Sequence, residues 1–262
     1  MPLAVAAGSL GGWALAISVG VTLALGIAAA YAKVLTPYAA LLSAVFGIVI
    51  VLVGGPSYLA MLILFVLGGS LATRYGWEEK KARKVSEGKA GERGVRNVLS
   101  HILVPLGLVL VGPLSILGAL PQNLVPFVYV AALACGTADT FASEFGVLSG
   151  KAVSILGTGP VKAGTNGGIS FGGELWALLG SLVTVAAGAG IFYAFGGLVE
   201  LPTSVVLWFA GGTFLGFLGC QIDSLLGATL ENRGFLGKGS VNFLAMLFTA
   251  LIALGMYLLW GP

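Results

Sequence analysis

Two carboxylates end a long apolar segment near the middle of the chain. Asp139 and Glu144 follow an apolar run that begins near residue 122. Because a carboxylate in the middle of a bilayer costs roughly 2.5–3.5 kcal/mol, acids in such a segment suggest a functional role. On one continuous helix they would lie about 140° apart, so they could share a metal only if the helix ended between them or other segments completed the site. The plainer alternative is a pair of interfacial acids at the end of the segment.

A glycine-rich, basic segment follows these acids. It holds Lys151 and Lys162 and then the run Gly164, Thr165, Asn166, Gly167 and Gly168. A glycine-dense, basic loop can turn successive backbone N–H groups toward one anion and so bind phosphate. The segment fits neither the Walker A nor the G-x-G-x-x-G pattern. Glycine content alone would favour a flexible linker.

A third polar cluster ends another apolar run. Asp223 and Ser224 lie there, and Asn242 adds an uncharged polar group early in the last apolar run. If these clusters and the first two acids meet at one face, they combine oxygen ligands with phosphate donors, as a magnesium–nucleotide site requires. The chain contains a single histidine, so a zinc site is not expected.

Composition identifies the elements that must position these residues. Of 262 residues, 58% are hydrophobic and only 9% are charged, against roughly 25% charged residues in an ordinary soluble domain. So few charges exclude a soluble globular enzyme and a disordered chain. The apolar runs are too long for the alternating strands of an outer-membrane barrel. We therefore predict an all-α, polytopic transmembrane helical bundle that forms a single domain over residues 1–262.

Eight segments satisfy the length of about 20 mostly apolar residues needed to cross a bilayer. They lie near residues 10–32, 37–53, 56–73, 98–117, 122–139, 174–197, 201–220 and 241–260. Glycine and proline punctuate the short connections, as in the turn Gly54-Gly55-Pro56.

The basic residues test this division into eight spans. All 13 Lys and Arg residues fall on one side of the predicted membrane, and the opposite side carries only Glu200. By the positive-inside rule, both termini lie outside and the long polar loops lie in the cytoplasm. These include a basic loop at 74–97 and the glycine-rich loop at 140–173. We expect most charges of the basic loop to form a solvated face near anionic headgroups.

The order and spacing of these motifs resemble the phytyl phosphate kinase family of integral membrane isoprenoid-monophosphate kinases. The resemblance runs from about Lys33 to the C-terminus. It rests on the stretches Asp139–Glu144, Gly164–Gly168 and Asp223–Thr229, with Val241-Asn242 after them. Arg93 and the following Asn97-Val98 resemble the family's Arg-then-Gln-Val element. Three positions, Asn97, His101 and Glu231, carry residues that are not the usual ones in the family.

The resemblance implies a membrane kinase that transfers a phosphoryl group from a nucleoside triphosphate to a prenyl monophosphate such as phytyl or geranylgeranyl phosphate, with CTP as the expected donor. Asp139, Glu144 and Asp223 would hold Mg²⁺ on the cytoplasmic face. Arg93, Lys151 or Lys162 would offset developing charge. Phosphate would contact the residues of the glycine-rich run together with two polar side chains, namely Gly164, Thr165, Asn166, Gly167, Gly168, Ser224 and Asn242.

The implied chemistry needs no strong general base, because an acceptor phosphate with a second pKa of about 6 is largely ionised at pH 7. The expected partners are the prenyl lipid, the nucleotide and membrane lipids, and nucleic acid is not among them. One alternative is a transporter or channel with a re-entrant glycine-rich loop and with Asp139 and Asp223 on an ion pathway. Another is a CTP-dependent lipid cytidylyltransferase, which would release pyrophosphate.

Overall fold

The computed structural model describes residues 12–86, 91–116, 118–195 and 205–260. Long helices dominate these residues: α1 (Gly12–Tyr31), α2 (Pro37–Val53), α3 (Pro56–Arg74), α5 (Val95–Val111), α7 (Leu124–Gly146), α8 (Phe171–Ala194), α9 (Gly212–Leu226) and α10 (Lys238–Trp260). Two short helices, α4 (Trp77–Ala82) and α6 (Pro113–Ile116), lie in the connections. Turns of π-helix at Leu207–Gly211 and Gly227–Glu231 extend α9 at both ends.

The predicted transmembrane bundle is confirmed. Within the described ranges, six helices are long and apolar enough to cross a membrane, and α1 and α2 contribute shorter apolar helices. Each of the eight predicted spans overlaps one of these helices, although several helix ends differ from the predicted ones. Glu200, Lys89 and the first residues of the first span lie outside the described residues, and the predicted orientation of the bundle in the membrane stays a prediction.

Local sequence explains where several helices begin. Proline occupies the first turn of α2 and of α3, where its missing N–H and fixed φ do no harm. Gly55, at φ +92°, provides the sharp turn between these helices. At α8, the Ser170 hydroxyl caps the first turn by accepting a hydrogen bond from the Gly173 N–H at 3.1 Å.

Helix α7 forms the centre of the bundle. Along its membrane-spanning part 89% of the residues are buried, against 28–56% in the other five long apolar helices. Tyr129 is fully buried in α7, and its hydroxyl donates to the Tyr58 carbonyl of α3 at 2.9 Å. Because α7 is enclosed by its neighbours, polar groups at its end are also brought against several other helices.

The polar segments meet at one end of the bundle. Leu35 forms a β-bridge with Arg93. Arg83 Nη1 donates to the Val147 carbonyl at 2.8 Å, and Asn232 Nδ2 donates to the Asn166 carbonyl at 3.4 Å. These contacts join four connections between helices that the charge pattern assigns to one side of the membrane. For the described residues, the fold therefore agrees with the charge pattern.

The two predicted loops contain more regular structure than expected. Helix α7 continues past Asp139 and Glu144 to Gly146, so the glycine-rich connection begins at 147 rather than 140. It contains three short strands, β1 (Ala152–Ser154), β2 (Pro160–Val161) and β3 (Gly168–Ile169). They form a small antiparallel sheet in the order β2-β1-β3. The basic loop contains α4, so neither segment is a featureless linker.

Candidate active site

Asp139 and Asp223 come together because α7 and α9 approach unusually closely one turn before each of them. A Cβ on Gly219 would lie only 2.5 Å from Cys135 Sγ, so this crossing requires glycine. Gly219 precedes Asp223 by four residues, and Cys135 precedes Asp139 by four, which puts both acids on the contacting faces. The Asp223 carboxyl lies within hydrogen-bonding distance of Asp139. Two of the three predicted acids therefore meet.

Asn242 connects this pair of acids to a buried histidine. With its amide oriented to satisfy its neighbours, Asn242 donates to Asp223 Oδ2 at 3.2 Å and to the Lys238 carbonyl at 3.0 Å, and it accepts from His101 Nε2 at 3.2 Å. His101 Nδ1 lies 2.8 Å from the Asn97 carbonyl. Asn242 and His101 are both buried. The predicted phosphate contact Asn242 thus fixes the Asp223 carboxylate in this structure.

Glu144 has a different environment from the two aspartates. Its Oε2 forms a salt bridge with Lys80 Nζ at 2.7 Å, and its Oε1 accepts from Thr73 Oγ1 at 2.7 Å. Lys80 is fully buried and Glu144 is 6% exposed. Lys80 also donates to the Ala72 carbonyl at 2.8 Å. The pair joins α4 to α3 and α7, so Lys80 is an exception in the basic loop, where most of the described charged residues are exposed as expected.

The predicted cluster of three acidic metal ligands does not form. Among the residues that the structure describes, no group of three or more His, Cys, Asp or Glu side chains is arranged to hold a metal ion. Because α7 does not end between Asp139 and Glu144, the two side chains diverge on its surface. Two carboxylates nevertheless suit Mg²⁺, which is usually held by one or two carboxylates together with substrate phosphates and water.

A polar cavity of about 250 Å³ opens between α7, α9 and the glycine-rich connection. Ten of the residues singled out from the sequence line it, namely Asp139, Glu144, Gly164, Thr165, Asn166, Gly167, Gly168, Asp223, Ser224 and Asn242. Residues from three distant stretches of the chain therefore surround one space. The cavity is large enough for phosphate groups and an ion beside the paired aspartates.

The glycine-rich run packs directly on the end of α9. A Cβ on Gly167 would lie 2.3 Å from Ala228 Cβ and 2.8 Å from the Ser224 carbonyl oxygen. Within the run, the Gly168 N–H donates to the Thr165 carbonyl at 2.8 Å. The Thr165 N–H in turn donates to the Lys162 carbonyl at 3.1 Å. These two amides hold the turn in shape, so they do not face an anion as the sequence suggested.

Gly167→Ala is expected to displace the glycine-rich run from α9 and to lower activity at the cavity. Gly167 has φ +73°, and Gly157 has the same φ but no heavy atom within 4 Å of a Cβ. Gly157→Ala should therefore cost only the left-handed backbone strain, roughly 1–2 kcal/mol, and serves as the matched control. Thermal unfolding and turnover of both variants would be compared. Equal losses in the two variants would show that the close approach at Gly167 is unimportant.

The three predicted cations lie outside the cavity. Lys151 and Lys162 are exposed on the glycine-rich connection. Arg93 is buried, with its guanidinium group against Gly69. Its backbone N–H donates to the Val34 carbonyl at 3.0 Å, which ties it to the connection between α1 and α2. These positions do not place any of the three beside the paired aspartates.

Two other lysines border the cavity instead. Lys84 follows α4 in a left-handed conformation at φ 61°, and Lys238 begins α10. The neighbouring Val85 packs on Gly164, which places Lys84 beside the glycine-rich run. Lys238 could have been found from sequence, because it lies between Asp223 and the last apolar run. Lys84 carried no such signal, since nothing in its spacing relates it to the glycine-rich segment.

A second pair of polar side chains lies at the start of α8. Gln221 Nε2 donates to Glu174 Oε2 at 2.7 Å, and Glu174 also lines the cavity. Sequence could have added Glu174 to the predicted site, because this acid begins the sixth predicted span on the same side of the membrane as Asp139. The pair lies at the boundary between the polar cavity and the apolar faces of α8 and α9.

The helical bundle and its polar end cavity define a polytopic membrane protein with a built site at one end. The chain belongs to the family described as integral membrane protein DUF92, whose model matches residues 20–250. It is similar to an uncharacterized membrane protein of Methanocaldococcus jannaschii, with 33% identity over 216 residues that cover 82% of each chain. No solved structure matches the chain.

Two similar proteins come from Arabidopsis thaliana. Protein PGR is 31% identical over 193 residues, which cover 69% of this chain and 67% of that protein. Protein VTE6, chloroplastic, is 27% identical over 207 residues, which cover 78% of this chain and 59% of that protein. These relatives agree with the resemblance to the phytyl phosphate kinase family that the motifs indicated.

Proposed function

We propose that the protein is a membrane kinase that transfers a phosphoryl group from a nucleoside triphosphate to an isoprenoid monophosphate, giving the diphosphate. Phytyl and geranylgeranyl phosphate are the proposed acceptors, and CTP is the proposed donor. The observation that carries the proposal is the pairing of Asp139 and Asp223 in a cavity bordered by the glycine-rich run. Similarity to VTE6 supports the same class of activity.

Asp139 and Asp223 would hold Mg²⁺, which when bound would neutralise charge on the nucleotide phosphates. Asn242 would keep the Asp223 carboxylate oriented for this role through the hydrogen bond described above. Lys84 and Lys238 would add positive charge at the cavity. The exposed side chains of Thr165 and Asn166 would contact phosphate oxygens directly.

Positioning and electrostatics would account for most of the rate in this scheme. The acceptor phosphate has a second pKa of about 6, so it is already largely ionised at pH 7. Its oxygen can attack the donor phosphorus without prior removal of a proton by a side chain. This fits a cavity in which the buried His101 contacts Asn242 rather than the open space.

The basic residues suggest which face of the membrane the cavity occupies. All 13 Lys and Arg residues fall in the segments assigned to one side. The described ones belong to the same end of the bundle as the cavity. By the positive-inside rule this end would face the cytoplasm, where nucleoside triphosphates are available to the proposed site.

The test uses the full chain, purified in detergent and supplied with one of four γ-labelled nucleoside triphosphates and a prenyl monophosphate. We expect labelled prenyl diphosphate and a nucleoside diphosphate as products, with loss of turnover on chelation and recovery with Mg²⁺. Pyrophosphate release would instead identify a cytidylyltransferase. Solute flux across reconstituted vesicles without any nucleotide would identify a transporter. Turnover without a divalent cation would contradict the proposed mechanism.

A further inference from the structure

An apolar groove runs between α8 and α9, directly below the Glu174–Gln221 hydrogen bond. Its volume is about 430 Å³. Aliphatic and aromatic side chains of both helices form its walls, chiefly Leu178, Leu182, Phe209, Phe214 and Phe217. Neither the family description nor the names of the relatives assign any role to this groove.

Helical register places the groove next to the polar cavity along α8 and α9. Leu178 and Leu182 follow Glu174 by four and eight residues, so all three lie on one stripe of α8. Phe217 precedes Gln221 by four residues and lies on the corresponding stripe of α9. Glu174 itself lines the cavity. The groove therefore begins about one helical turn beyond the Glu174–Gln221 pair, which lies at the edge of the polar cavity.

The dimensions suit the tail of a membrane lipid. On the α9 side the residues that line the groove run from Phe217 to Phe209, which is eight residues or about 12 Å at 1.5 Å per residue. This is most of one leaflet of a hydrocarbon core about 30 Å thick. An amphiphile with its phosphate beside the paired aspartates would have its tail enter the groove immediately below the Glu174–Gln221 pair.

We propose that this groove binds the isoprenoid tail of the lipid substrate and so sets the preference for prenyl chain length. The proposal rests on the kinase function proposed above. It assigns the phosphate to the polar cavity and the branched tail to the apolar walls of α8 and α9. The tail of a short prenyl phosphate would occupy only the upper part of the groove, near Leu178 and Phe217. A long tail would also reach Leu182 and Phe214.

The test fills the deep part of the groove. Leu182→Trp places a bulky ring there, and Val183→Trp places the same ring on the neighbouring surface of α8, at the same depth but outside the groove. Leu182 and Val183 are 45% and 49% exposed, so neither substitution enters a packed core. Turnover of geranyl phosphate and of geranylgeranyl phosphate would be measured for both variants and for the unmodified protein.

We expect Leu182→Trp to lower kcat/KM for geranylgeranyl phosphate about tenfold or more, as for a filled apolar pocket. Geranyl phosphate should be used almost as before, which also shows that the variant is folded. Val183→Trp should leave both substrates unchanged. Identical chain-length preference in the two variants would overturn the groove assignment and identify an ordinary lipid-facing surface. Absence of turnover by the unmodified protein with every prenyl phosphate would overturn the kinase function itself.

Discussion

Asp139→Asn is expected to reduce phosphoryl transfer by about 10²–10³-fold or more, as does loss of one main electrostatic group in other active sites. The substitution keeps the size of the side chain and removes its charge. Only Asp223 would then remain of the carboxylate pair that is proposed to hold the metal. Asp223→Asn should have an effect of similar size, since the two carboxyl groups lie within hydrogen-bonding distance.

Labelled-phosphate transfer measured across a series of Mg²⁺ concentrations would check this prediction. Each single variant should need more Mg²⁺ for half-maximal turnover. The double variant should be little worse than either single one, because groups that act as a unit are not additive. Glu78→Gln, at an exposed acid in α4, provides the charge-matched control. Unchanged turnover and unchanged Mg²⁺ dependence in both single variants would remove the paired aspartates from the proposed mechanism.

Lys80→Met is expected to destabilise the protein by about 3–5 kcal/mol, because it leaves the buried Glu144 carboxylate without its cation. Lys80 is fully buried and the salt bridge measures 2.7 Å. Replacing both partners, as in Lys80→Met with Glu144→Leu, should recover most of the loss, since no charge then stays buried and unpaired. The single variant should also lower activity, because α4 leads directly to Lys84 and Val85 at the cavity.

Thermal unfolding in detergent would measure these changes. The chain offers a matched control in the same helix, where Arg83 and Glu79 form an exposed ion pair four residues apart. Such a surface pair contributes about 0–1 kcal/mol, so Glu79→Gln should barely change the unfolding temperature. If Lys80→Met and Glu79→Gln changed the unfolding temperature equally, the buried Lys80–Glu144 pair would not be what holds α4 against α3 and α7. Failure of the double variant to recover stability would show that α4 is held mainly by other contacts.

The order of the membrane helices could be predicted from sequence almost completely. A helix that crosses a bilayer must satisfy its own backbone hydrogen bonds, so its length and apolar character are local properties. The turn predicted at Gly54-Gly55-Pro56 is confirmed, and α3 begins at Pro56 as predicted. Helix ends near polar residues were less predictable. Helix α7 extends to Gly146, and near this end Glu144 is buried against Lys80, 64 residues away in the chain.

The candidate site was predicted in part. Asp139, Asp223, Ser224 and the glycine-rich run do line one cavity, because all of them lie at the ends of spans that the charge pattern assigned to one side. Depth in the membrane follows from sequence, but the direction of a side chain around a helix depends on the neighbours that pack there. The prediction from sequence therefore placed Glu144 with the two aspartates as a metal ligand, and it could not detect the salt bridge between Glu144 and Lys80.

Sequence alone determined a bundle of apolar helices with polar connections gathered at one end, because hydrophobic length and charge placement are set by each segment separately. Only the tertiary structure decided which charges share a space. The close crossing at Gly219 and Cys135 brings Asp139 to Asp223. The burial of Lys80 removes Glu144 from that pair, and Lys84 and Lys238 border the cavity in place of Arg93, Lys151 and Lys162. Such pairings depend on contacts between residues far apart in the chain.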